Sequence, residues 1–260
     1  MKIVTYNVNG IKARLPRLIE YLTEAQPDVV CLQELKSLDA FPEAEVAAAG
    51  YGAVWYGQKS WNGVAVLARG AQPIERQRGL AGEPEDEQSR YLECEVPGPD
   101  GAPLVIASLY LPNGNPQPGP KFDYKLRWFD RLAARARVLL AQEVPVVLAG
   151  DYNVIPNDDD TFSVRRMADD ALMQPESRAA YRRLLAQGWT DALRTRHPQG
   201  GLWTFYDYKT MGWQNGNGFR IDHLLLSPQA ADRLIEAGVD TEFRGREKAS
   251  DHVQTWVQLR

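Results

Sequence analysis

Pro145-Val146-Val147-Leu148-Ala149-Gly150-Asp151-Tyr152-Asn153 is the stretch on which the reading of this chain turns. Its apolar residues, two of them β-branched, make a short buried strand. Gly150 permits a tight backbone path out of that strand. In an extended segment residues 151 and 153 point to the same side, so a carboxylate and an amide face one target. Taken alone, the pair fits an Asx-type turn equally well. Its weight comes from repetition. Ile3-Val4-Thr5-Tyr6 leads to Asn7, and Val29-Val30-Cys31-Leu32-Gln33 leads to Glu34. Val105–Leu109 leads to Tyr110, and Phe219-Arg220-Ile221 leads to Asp222. Five strands ending in polar groups point to a site at one edge of the sheets, where rigid elements hold ligands in place.

Outward from these, Lys2–Val8, Asp28–Leu32, Gly63–Ala68, Arg90–Val96, Pro103–Leu111, Pro145–Ala149, Arg220–Ser227 and His252–Leu259 read as strands. Leu15–Glu24, Phe122–Gln142 and Glu176–Gln187 carry helical apolar spacing. In the long second stretch the apolar residues are 122, 126, 129, 132, 136, 139 and 140. Strands outnumber helices, and the helices fall between strand groups, so the expected class is α/β, two packed sheets with helices outside. The loops Leu111–Pro120 and Asn157–Asp160 do not divide the chain, and residues 1–260 read as one domain.

The 260 residues are 44% hydrophobic and 25% charged, enough for a substantial core. No apolar run approaches the roughly 20 residues of a membrane span. The opening MKIVTYNVNG lacks the features of a signal peptide. The expectation is a cytoplasmic protein that does not engage a membrane. Cys31 and Cys94 lie in apolar strands and read as reduced core thiols. The net charge of −4 argues mildly against nucleic acid. A bound cation and local Lys/Arg would offset that.

The candidate chemistry sits at the strand ends. Asp151 can deprotonate a water or bind a metal, and Asn153 can donate to a developing oxyanion. Glu34 offers the oxygen ligand Mg²⁺ prefers. Ser250-Asp251-His252 precedes the last strand; His252 can bond a phosphate oxygen, its tautomer fixed by a neighbouring acid such as Asp222. Asn7 and Asn9 can position waters or substrate. Leu202–Ile221 is rich in rings, which can stack bases or line a sugar pocket but more often pack a core.

These motifs, in this order, resemble the exonuclease III family of endonuclease/exonuclease/phosphatase enzymes. The resemblance runs through Tyr6-Asn7-Val8-Asn9-Gly10, Leu32-Gln33-Glu34, Asn62-Gly63-Val64-Ala65 and Pro112-Asn113-Gly114. It continues through Gly150-Asp151-Tyr152-Asn153, Trp189-Thr190-Asp191, Phe219-Arg220-Ile221-Asp222 and Ser250-Asp251-His252. It implies a four-layer α/β sandwich of two mixed β-sheets flanked by helices, with one or two Mg²⁺ ions that Mn²⁺ replaces. Carried over by position, Glu34 resembles the principal metal ligand, with Asn7, Asn9 and Asp251 near the ion. Asp151 resembles the base that prepares water, or a ligand. Asn153 would orient that water or the phosphate and also stands among the metal-side residues. His252, paired with Asp222, resembles a phosphate contact. Tyr110 matches the family's catalytic tyrosine and Asn113 a phosphate-contacting asparagine. Phe205, Phe219 and Ile221 fall where the family lines its abasic-sugar pocket.

The implied activity is a Mg²⁺-dependent repair phosphodiesterase. It would cut double-stranded DNA at abasic sites and process blocked 3′ ends, acting as a monomer. An alternative within the family is a specialised 3′-end-processing exonuclease and phosphatase with little abasic-site cleavage. Two readings outside it are a sister hydrolase of another phosphoester and a noncatalytic relative that binds RNA or protein. Retention of every acidic residue speaks against the second. Leu35 stands where many members carry threonine, and Val253-Gln254 where Ala-Pro is usual. The first bears on the surroundings of Glu34.

Overall fold

A computed structural model describes residues 1–260. Twelve strands form two six-stranded sheets. They are β1 (Lys2–Asn7), β2 (Val29–Gln33), β3 (Tyr51–Tyr56), β4 (Val64–Arg69), β5 (Ile74–Arg78) and β6 (Tyr91–Pro97). β7 (Pro103–Tyr110), β8 (Val146–Asp151), β9 (Thr190–Asp191), β10 (Asp222–Leu226), β11 (Leu234–Val239) and β12 (Thr255–Leu259) complete the set. The first sheet runs β11-β12-β1-β2-β4-β3 and the second β5-β6-β7-β8-β10-β9. Each has one parallel pair at its centre, β1 with β2 and β7 with β8, and is otherwise antiparallel.

Helices α1 (Ile11–Ala25) and α2 (Glu43–Ala48) precede α3 (Pro120–Leu140), α4 (Val164–Met167) and α5 (Pro175–Leu185). Short helices follow: α6 (Ala192–Arg196), α7 (Gly212–Asn215), α8 (Pro228–Ala231) and α9 (Thr241–Arg244). A parallel pair requires a crossover, and α1 and α3 supply one in each sheet.

Side-chain alternation along the strands sorts the core into layers. Ile3, Cys31, Val66, Cys94, Ile106, Val147, Ala149 and Leu224 pack between the sheets. Val4, Tyr6, Val30 and Leu32 face α1 through Leu18 and Leu22. Val105, Ala107 and Leu148 face α3 through Trp128, Phe129 and Leu132, and α5 through Tyr181 and Leu184. The result is the expected four-layer α/β sandwich. Cys31 and Cys94 are free and buried.

The eight strands and three helices read from sequence all form, with shifted ends. Four strands were not read: β3, β5, β9 and β11, which occupy the four sheet edges. β5, Ile-Glu-Arg-Gln-Arg, is almost wholly polar. An edge strand need bury little, and charge there blocks pairing with other chains, so hydrophobic pattern fades where pairing stops. The sequence of Asn157–Asp160 reads as an acidic, polar loop. It holds a short 3₁₀ turn at Asp158–Asp160, and Asp160 is buried.

Candidate active site

The inter-sheet core changes character at one end. Its inward rows continue as Thr5 and Asn7 on β1, Ser108 and Tyr110 on β7, Asp151 on β8 and Asp222 on β10. Beneath the site lies a polar layer. Thr5 Oγ1 donates to Gln33 Oε1 (3.1 Å), and Gln33 Nε2 donates to Ser108 Oγ (3.1 Å). Tyr110 and Asp222 are both register partners of Asp151, so three neighbouring strands present one row.

Asn7 bridges the two sheets. Its Nδ2 donates to Glu34 Oε1 (2.9 Å) and to Asp151 Oδ2 (3.0 Å). Glu34 leaves β2 with φ 55, a left-handed conformation rare outside glycine and of the kind stored at functional sites. Burial alone would raise its carboxyl, but hydrogen bonds from Lys36 and Asn7 outweigh burial and hold it below the ordinary value. Lys36 Nζ lies 2.8 Å from Glu34 Oε2 and donates to Asn9 Oδ1 at 2.5 Å.

Asp151 is buried, and burial pushes its carboxyl above the usual range against the opposing pull of the His252 charge; the Asp222 and Glu34 charges add to the rise. His252 Nδ1 lies 2.9 Å from Asp222 Oδ2, so Nδ1–H donates and Nε2 faces the site. Nε2 stands 3.8 Å from Asp151 Oδ2, near but not hydrogen-bonded. Burial would lower the His252 imidazole, but the Asp222 charge and hydrogen bond reverse this and raise it. Ser250 Oγ donates to the Asn7 carbonyl (2.7 Å), tying the segment before β12 to β1.

Glu34, Asp151 and His252 gather around one point, a carboxylate oxygen or ring nitrogen of each lying within 4.8 Å of the others. Two carboxylates form a hard-oxygen set that suits Mg²⁺ or Mn²⁺, and the excess of acid needs a cation. The other residues read as lying near the ion divide. Asn7 touches both carboxylates. Asn9 and Asp251 pair with each other (Nδ2 to Oδ1, 3.0 Å) to one side. Asn153, at φ 45, turns its Nδ2 to the Leu111 carbonyl (2.9 Å) and receives Asn113 Nδ2 on Oδ1 (3.2 Å). It thus belongs with Asn113 rather than with Glu34.

Tyr110 lies under a neighbouring cation, with the Arg90 guanidinium 4.7 Å from its ring centre. Burial, then the Glu34 charge, raises its phenol well above the ordinary value, keeping the hydroxyl protonated. Phe205 packs 4.8 Å from both Phe219 and His252, centre to centre. Phe219 and Ile221 are nearly closed off with Ile155 and Leu172, leaving Phe205 as the half-buried member. Leu35, the departure beside Glu34, is buried against Gly63.

Sequence reasoning assigned no role to Lys36, Arg90, Ser108 or Lys125. Lys125 did leave a signal: it occupies a core position on the apolar stripe of α3 between Phe122 and Phe129, while Leu126 is only half-buried.

A model of the endonuclease/exonuclease/phosphatase family matches residues 4–252. The chain is 31% identical to exodeoxyribonuclease III of Haemophilus influenzae over 100% of each protein. Among solved structures it is similar to the 3′ phosphatase NExo from Neisseria bound to a product DNA hairpin. That likeness has TM-score 0.94 and 35% identity and covers 100% of this chain and 99% of that one. It is also similar to an AP endonuclease from Archaeoglobus fulgidus, with TM-score 0.92, 34% identity and coverage of 100% and 99%. Matched end to end in sequence and in fold, the chain belongs to the endonuclease/exonuclease/phosphatase family, among the phosphodiester hydrolases of its exonuclease III branch.

Proposed function

We propose that this chain is a Mg²⁺-dependent DNA-repair phosphodiesterase that incises double-stranded DNA at abasic sites and removes blocking groups or nucleotides from 3′ ends. It would work as a single domain, as a monomer and in the cytoplasm; no helix is long and apolar enough to cross a membrane. The observation that carries the reading is the trio Glu34, Asp151 and His252, gathered within 4.8 Å, with Asp222 behind the imidazole.

Hydrolysis forms a bond from water oxygen to phosphorus and breaks the bond from phosphorus to the 3′-oxygen. Asp151, its basicity raised by burial, accepts the water proton. His252, kept protonated by the Asp222 charge and hydrogen bond, presents Nε2–H to a phosphate oxygen. Asn113 and Asn153 give the phosphate further amide contacts. The protonated Tyr110 hydroxyl donates to the phosphate or to the leaving oxygen. Glu34, with Asp151 and Asn7 beside it, would hold the Mg²⁺, which supplies charge neutralisation when bound. Phe205, backed by Phe219 and Ile221, offers an apolar wall for a deoxyribose without its base.

Two end-labelled duplexes test this, each with Mg²⁺ and with EDTA. One carries an internal abasic-site analogue and the other a recessed 3′-phosphate. The expected result is Mg²⁺-dependent product from both. Turnover of the 3′-phosphate alone would remove the pocket role of Phe205 and leave a 3′-end-processing enzyme. No turnover of either would overturn the proposal.

A further inference from the structure

Lys125 is fully buried on α3 and makes no salt bridge to a carboxylate. A lysine in that state is unusual, because an ammonium leaves water only at a cost that nearby polar groups must offset. Here its Nζ donates to two backbone carbonyls, those of Asn113 (3.0 Å) and Asn153. Neither carbonyl accepts another hydrogen bond. One ammonium thus joins the loop after β7 to the loop after β8.

We infer that Lys125 is a positioning residue for phosphodiester hydrolysis, a buried ammonium that fixes the loops of Asn113 and Asn153 relative to Asp151. The inference rests on the nuclease reading above.

Three features extend the linkage to the reacting groups. Asn153 N–H donates to Asp151 Oδ1 (2.9 Å), so the backbone segment gripped by Lys125 also sets the Asp151 carboxylate. Asn113 Nδ2 donates to Asn153 Oδ1 (3.2 Å), so the two gripped residues are coupled through their side chains as well. The loop is also shaped around the lysine. At Gly114, φ is 92, and a Cβ there would lie 2.7 Å from Lys125 Cδ. The loop passes so close to the lysine stem that only glycine fits.

The amine serves a purpose that an apolar residue of the same length does not. Its donors orient two peptide planes behind the amides that face the phosphate. Burial draws its ammonium down to about 7 against the pull of the Asp151 and Asp170 charges, so its hold lies in those hydrogen bonds. Misplacement of reacting groups by about 1 Å costs on the order of 10²-fold in rate.

The test uses the full-length protein in Mg²⁺ with the recessed 3′-phosphate duplex and the abasic-analogue duplex. The unsubstituted protein is measured first. If it turns over neither, the nuclease reading fails and Lys125 is not at issue. With activity established, Lys125→Met is expected to lower kcat about 10²-fold with KM within about threefold. A cycle with Asn113→Ala is expected to be non-additive, the second substitution costing at most about a third as much in the Lys125→Met background. Should Lys125→Met lack a cooperative melt, Lys125→Gln, which keeps a donor without the charge, is read by the same criteria. A kcat within threefold of the unsubstituted protein, or independent effects in the cycle, would overturn the inference.

Discussion

Two buried clusters of charge meet around the start of β10, on opposite faces of the sheet, and they are built to opposite ends. On the outer face Arg220 reaches Asp160 through Nε (2.7 Å) and Asp191 through Nη1 (2.8 Å). Arg194 also pairs with Asp160, and Tyr181 donates to Asp191 (3.0 Å). His223 Nε2 donates to the Val154 carbonyl (3.1 Å), and its Nδ1 faces Arg220 Nη1 (3.0 Å). Two carboxylates meet two guanidiniums and a neutral imidazole, and the charge closes on itself. On the inner face Glu34, Asp151 and Asp222 meet only His252 and the part-exposed Lys36. That cluster is left acidic and open to a cation. One face is saturated; the other is unsaturated and, on the proposed reading, carries the chemistry.

The contrast breaks most directly at Asp151. Asp151→Asn keeps the shape and removes a carboxylate whose proton affinity is already raised by burial. Turnover is expected to fall 10³-fold or more with DNA binding retained. In EDTA the melting temperature should rise by a few degrees, because a crowded negative charge is gone. Full activity in this variant would sink the assignment, and a large drop in melting temperature would show the inner cluster to be structural as well.

Asp191→Asn should do the reverse. Breaking a buried, hydrogen-bonded pair costs about 3–5 kcal/mol. Denaturant unfolding should register that loss, while the fraction still folded keeps kcat within a few-fold. A stability unchanged by the substitution would remove the distinction between the two faces.

The two histidines sharpen the contrast through pH. Burial, with Arg220 next in weight, lowers the His223 value to about 4. A lowered folded value means that its contribution is present above the unfolded value of about 6.5 and is lost as pH falls toward 4. The effect is on the order of 3 kcal/mol. His252 has a raised value, so its contribution in the metal-free protein is complete below about 6.5 and is lost as pH climbs past its folded value. Unfolding followed across pH in EDTA checks both. His223→Gln should flatten the acid limb alone, and an acid limb unchanged in that variant would count against the assignment.

The smallest effect is expected from Glu34→Ala. It should raise the Mg²⁺ concentration for half-maximal activity by roughly tenfold or more, the range seen when a metal's surroundings are altered. An unchanged metal titration would remove Glu34 from the ligand set.

The division between what sequence discloses and what it conceals follows the same line. Central strands were legible because burial on both faces forces continuous apolar runs, as in Val146–Ala149 and Leu224–Leu226. The polar residues ending those runs were legible because nothing in a core explains them. Edge strands such as β5 were not, since neither face needs apolar residues. The outer ion cluster was also hidden. Asp160 lies in a run of acids that reads as solvated loop, and only the tertiary approach of Arg220 pulls it inside. Lys36 was hidden because what marks it is contact with a side chain two residues away. Lys125 is out of place on an apolar stripe, but its backbone partners, which give it a role, are not encoded by residue type.

The strand order also carries a consequence for biosynthesis. The second sheet is drawn from a continuous stretch, residues 74–226, whereas the first joins residues 2–69 to residues 234–259, with β12 beside β1. Domains fold as they emerge from the ribosome, amino end first. The strands of the second sheet are all made before β12, but the first sheet waits for that strand. Asn7 and Glu34 meet Ser250, Asp251 and His252 only then. A nascent or truncated chain ending before Ser250 is predicted to show no Mg²⁺-dependent cleavage, so activity cannot precede synthesis of the segment that carries His252.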